Sequence, residues 1–129
     1  MEGKKLFVYL CTEGGDHHYM LACYDSIRLA KAHVTIIGTG CVLSAGAFIF
    51  QAAKHRVLHR GARFMLHYGS GDLDKDFFEV SKRYKEVLFG RIREKNKRFL
   101  KDKFEDIMAT SEHFSAERAL ELGLTDKVV

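Results

Sequence analysis

Two runs rich in β-branched and aromatic residues, "KLFVYL" at 5–10 and "HVTIIGTG" at 33–40, are each closed by glycines and each followed by a segment of helical spacing. This alternation constrains the fold more than any other feature, because strands that alternate with helices form a mainly parallel sheet covered by those helices. From Tyr19 to Lys31 the residues Met20, Ala22, Cys23, Ser26, Ile27 and Ala30 recur at helical spacing, and Asp25, Arg28 and Lys31 occupy the rest of the circumference. "SAGAFIFQAAKH" reads as a second helix that begins at Ser44. "HRVLHR" and "ARFMLHY" are short strands, the latter carrying His67, and "SAERALELGLTDKVV" is a Ser-capped helix, a terminating Gly123 and a last strand. The fold class is therefore α/β.

At 129 residues and 47% hydrophobic, the chain suits one compact domain, residues 1–129. Its apolar runs fall far short of the roughly 20 residues a membrane-spanning helix needs, and the start carries no export signal. Cys11, Cys23 and Cys41 form no C-x-x-C pair, and their odd number suits a reducing compartment, so the cytoplasm is expected. The seven histidines show no zinc-ligand spacing, and neither metal nor cofactor is expected. The net charge of +4 comes mostly from the stretch Lys82 to Lys103, which carries ten Lys or Arg. Glu79, Glu86, Glu94, Asp102 and Glu105 interleave with them at spacings such as Glu79 to Arg83, which describes a solvated helix face rather than a nucleic-acid site.

Leu73, Phe77, Val80, Tyr84, Val87, Leu88, Ile92 and Phe99 mark one face of a long helical pattern. A helix from Leu73 to Leu100 would run about 42 Å. The whole domain would have a diameter of roughly 36 Å. Such a helix projects from its own domain, and its apolar stripe calls for a neighbouring subunit. Self-association is the expectation.

The candidate chemistry lies where strands end. Ser44 reads most simply as the N-cap of the helix that follows, a role serine favours. The alternative is a nucleophile, placed where free amides and the helix dipole stabilise negative charge. It is not an α/β-hydrolase elbow, because Val42 stands where that motif needs glycine. Gly14 and Gly15 end the first strand and can turn backbone N–H groups toward a ligand. They form either a plain turn or, since in a parallel sheet they share an edge with Ser44, an oxyanion hole completed by the amide of Ala45. His67 ends an apolar strand, within reach of Ser44 as general base or buried as a core histidine.

These segments resemble, in order, the ClpP family, the proteolytic subunits of the Clp protease, which has the ClpP/crotonase-like fold. "YLCTEGGDHHYMLACYDSIRLAKAHVTIIGTG" is similar to the family's first strand, Gly-Gly turn and Tyr-Asp helix, "GCVLSAGAF" to its nucleophile motif, "RFMLH" to its histidine strand and "FSAERALELGLTDKVV" to its closing segment. The resemblance implies a serine endopeptidase with Ser44 as nucleophile, His67 as general base, and Gly15 and Ala45 at the oxyanion hole. It implies a projecting handle helix from Leu73, a homo-oligomeric ring (heptamer or tetradecamer), unfolded protein or peptide substrates, and a Clp-type ATPase as partner.

The chain departs from the family pattern in three places. Thr12-Glu13-Gly14-Gly15 stands for the family's Ser-Pro-Gly-Gly. Counting back from Ser115-Ala116 puts Ser111 where the family has its triad Asp; Glu112 is the expected third member, with Asp106 more distant. The chain also starts near the family's first central strand, without the preceding segment that contributes to unfoldase docking. A catalytically impaired ring subunit or scaffold is the second reading, and a crotonase-type thioester enzyme the third.

Overall fold

The computed structural model describes residues 3–67, 75–92 and 94–129. Strand β1 (Lys5–Thr12) leads through helix α1 (His17–Leu29) to β2 (His33–Leu43), then α2 (Ala45–Phe50), β3 (His55–Leu58) and β4 (Arg63–Met65). Helices α3 (Lys75–Arg91) and α4 (Glu94–Thr110) follow, then β5 (His113–Phe114), α5 (Ala116–Leu122) and β6 (Lys127–Val128). The six strands form one sheet in the order β5-β4-β2-β3-β6, with β1 against β2. Every pairing is parallel except β4 with β5. This is the expected mainly parallel α/β sheet.

The long strand β2 organises the sheet. One flank pairs with β1, from Lys5↔His33 to Leu10↔Gly38 and again at Thr12↔Val42. The other takes β3 against Thr35–Gly38 and then β4 against Cys41–Leu43. Between Leu10 and Thr12 the partner advances by four residues, so β2 bulges there. A bulge re-aims the strand that carries it, and this one lies just before the turn into α2.

Helix α2 is central because its residues are small or aromatic: Ala45, Gly46, Ala47, Phe48 and Phe50 are all buried. It ends sooner than the sequence pattern suggests, as residues 51–54 form turns and bends. Around it pack Ile36, Leu58, Phe64, Leu66, Tyr84, Leu88, Phe104, Ile107 and Met108. A buried polar cluster lies beside this core. Arg56 donates to the carboxylate of Asp126 (2.7 and 3.1 Å) and to the Gln51 side-chain oxygen (2.6 Å), while Gln51 donates to the Leu124 carbonyl (3.0 Å).

The expected single helix from Leu73 to Leu100 is two helices. Phe89 and Phe104 have ring centroids 5.7 Å apart, whereas fifteen residues of continuous helix would separate them by about 22 Å along the axis. The break follows Gly90, a poor helix former, and Ile92 beyond it is buried. Among the described residues, the part of the apolar stripe from Tyr84 to Ile92 is taken up by the chain itself. Tyr84, Leu88 and Ile92 are buried within the chain itself, and Val87 packs partly buried against the same core. Leu73 and the side chains of Phe77, Val80 and Phe99 lie outside the described residues. Arg83 pairs with Asp25 of α1, an ion pair that joins two helices. Among the described residues no helix is long and apolar enough to cross a membrane.

Candidate active site

Ser44 occupies the position before the first residue of α2, yet its hydroxyl makes no capping hydrogen bond. Its backbone has φ 55° and ψ −118°, a combination that is strained for a residue with a side chain and persists only when the surroundings hold it. The surroundings do so at both ends of the residue. The Ser44 N–H donates to the Met65 carbonyl (2.8 Å), extending the β2–β4 ladder by one step. Its carbonyl accepts from Ala47 N–H (3.0 Å), Phe48 N–H (3.4 Å) and the Tyr84 hydroxyl (3.1 Å).

With the main chain held this way, the hydroxyl projects toward the ring of His67, and Ser44 Oγ lies 2.5 Å from His67 Nε2. The contact follows from strand pairing. Leu43 pairs with Met65, and each functional side chain lies one or two residues past that pair, beyond the ends of β2 and β4. His67 is half-buried, and burial holds its imidazole below the usual histidine range. A ring kept neutral leaves Nε2 able to accept the serine proton, with its own proton on Nδ1.

The glycine turn completes the edge. Gly14 has φ 113°, and a β-carbon there would lie 3.0 Å from Ser44 Cβ and 3.3 Å from Ser44 Oγ, so only glycine lets the turn pass this close to the hydroxyl. Its N–H is already donated to Thr12 Oγ1 (3.0 Å). The next amide, that of Gly15, belongs to an exposed residue with open space around its α-carbon. Ala45 opens α2, where a first-turn N–H has no acceptor within the helix. Thr12 lies against this turn too, since a β-carbon on Gly46 would fall 2.2 Å from Thr12 Cγ2.

Glu112 is exposed, and its N–H donates to the Ile107 carbonyl (3.2 Å). Among the described residues no hydrogen bond joins it, or Asp106, to His67, and burial alone accounts for the direction of the histidine's shift. Continuing the β4–β5 register two positions past Met65↔His113 sets His67 opposite Ser111, which has a left-handed backbone (φ 53°). Ser44, His67, Gly14 and Ala45 thus meet at one edge of the sheet.

Sequence reasoning missed Tyr84 and the pairing of Cys11 with Cys41. Tyr84 had counted as part of an apolar stripe, and the available signal was that a buried tyrosine hydroxyl needs a partner. The two thiols gave no motif, because their proximity depends on the β2 bulge.

A family model described as Clp protease matches residues 1–129. An ATP-dependent Clp protease proteolytic subunit 3 from Synechococcus sp. is 32% identical over 136 aligned positions, covering 98% of this chain and 67% of the relative. A proteolytic subunit 2 from Borreliella burgdorferi is 44% identical over 66 residues, 50% of this chain and 33% of the relative. Among solved structures, ClpP1 from Listeria monocytogenes superposes with a TM-score of 0.82 at 19% identity, over 99% of this chain and 75% of that one. A point mutant of the same protein gives 0.76. These structures share the fold.

Proposed function

Because the chain belongs to the Clp protease family along its whole length, we propose that it is a serine-type endopeptidase of the ClpP kind, working through Ser44 and His67. The observation that carries this reading is the 2.5 Å contact between Ser44 Oγ and His67 Nε2 at a residue with φ 55°. His67 takes the hydroxyl proton as Ser44 attacks a peptide carbonyl, then gives it to the departing amine. The carbonyl oxygen, negative in the tetrahedral intermediate, is received by the amides of Ala45 and Gly15. Water activated by the same histidine then frees Ser44 from the acyl group.

By family membership the substrates are unfolded proteins or peptides, and the working form of this one-domain chain is a homo-oligomeric ring, a heptamer or tetradecamer, served by a Clp-type ATPase. Its three free cysteines fit the cytoplasm. The test is a serine-directed fluorophosphonate. Wild type is labelled at Ser44 and cleaves a fluorogenic peptide, and Ser44→Ala loses both. Equal labelling of wild type and Ser44→Ala overturns the assignment.

A further inference from the structure

Cys11 and Cys41 have their sulfur atoms 4.0 Å apart. Each lies one residue before the Thr12↔Val42 pair, so both side chains leave the sheet on the same face. Cys11 is exposed, Cys41 half-buried, and the Cys41 thiol points at the Thr12 carbonyl (3.6 Å). A disulfide needs the sulfurs at about 2.05 Å with α-carbons some 4.4–6.8 Å apart, a separation neighbouring strands supply. Strand β1 pairs only with β2 among the described residues, so its far flank is free to yield as the sulfurs approach.

We propose that Cys11 and Cys41 form a reversible disulfide site whose closure slows the chemistry at Ser44, a step that builds on the peptidase reading. Exposed Cys11 meets a peroxide first: its thiolate attacks one oxygen, hydroxide departs and takes up the proton the thiol released to become water, and a sulfenic acid remains. Cys41 sulfur then attacks the Cys11 sulfur, and hydroxide leaves with the Cys41 proton as a second water. Two thiols lose two electrons, and one peroxide becomes two waters. Burial and the neighbouring Cys11 raise the Cys41 thiol above its ordinary range, which suits the second partner better than the first. The consequence for the site runs through Thr12. It directly follows Cys11, holds the Gly14 amide and packs against α2 at Gly46. Drawing the sulfurs together by about 2 Å therefore moves the Gly14 turn relative to the hydroxyl it touches.

The test treats the full chain with a small excess of hydrogen peroxide, alkylates remaining thiols and maps the peptides by mass spectrometry. The expected product links Cys11 to Cys41 within one chain, leaves Cys23 alkylatable, and reverts with dithiothreitol. Recovery of both thiols free, linkage through Cys23 or only irreversible acids at Cys11 overturns the disulfide site. The oxidised protein should react with fluorophosphonate at least tenfold more slowly than the reduced one, while Cys41→Ser keeps its rate after the same treatment. A mapped cross-link with an unchanged labelling rate overturns the control of Ser44. If reduced protein is not labelled at all, the peptidase reading fails instead, and peptide mapping alone decides the disulfide.

Discussion

His67 is half-buried beside Ser44, and its lowered proton affinity comes from burial. The sign is clear: a base whose neutral form is favoured stays active down to a pH below its ordinary value of 6.5 and loses activity only as the pH falls through the lowered value. Because His67 has no carboxylate partner among the described residues, Glu112→Gln should leave that profile in place. The acid limb of kcat/KM should fall below pH 6.5 in both proteins, with rates within about threefold. A carboxylate that orients the ring would cost about 10⁴ when lost in another serine protease, so a drop of a hundredfold or more in Glu112→Gln would make Glu112 the third member. Ser44, Gly14 and His67 were legible because each ends an element with a strong local pattern. Tyr84 was not, because its hydroxyl acts on a carbonyl 40 residues away.

At the scale of elements, strands and helices were legible wherever periodicity and glycine punctuation agreed, as in β1, α1 and β2. The span after Leu73 misled because apolar spacing continues on both sides of Gly90, and spacing alone does not reveal that a helix folds back. The aromatic contact between Phe89 and Phe104 settles that question. The reversal changes what a core substitution should do. Leu88 is fully buried in the chain's own core, so Leu88→Ala should cost about 2–5 kcal/mol, read as a lower midpoint in denaturant. Had Leu88 faced a partner, the same change would lower oligomer mass and leave the folded subunit stable. Light scattering alongside the denaturant titration separates the two outcomes.

Across the whole molecule, the ion pair of Arg56 with Asp126 joins β3 to the start of the last strand, with Gln51 bridging to α2. Burial by itself would raise the Asp126 carboxyl, but hydrogen bonds and charge from Arg56 outweigh it and hold it below its ordinary value. A depressed carboxyl contributes stability that is complete above its unfolded value, near 3.9, and is lost as pH falls through the folded one. Asp126→Asn should therefore destabilise the protein at pH 7 and lose that difference in strong acid. The cost should lie at or below the 3–5 kcal/mol typical of stranding a buried charge, since the Asp126 side chain is 32% exposed and water screens it. Equal stability of the variant and wild type at pH 7 would count against the cluster. The same pair has a consequence for synthesis. Arg56 leaves the ribosome 70 residues before Asp126, so a nascent chain holding β1 to β4 has a guanidinium with no counter-ion to bury beside. The central strands can align early, but the core cannot close around Arg56 until Asp126 has emerged, and cooperative resistance to proteolysis should arrive late in translation.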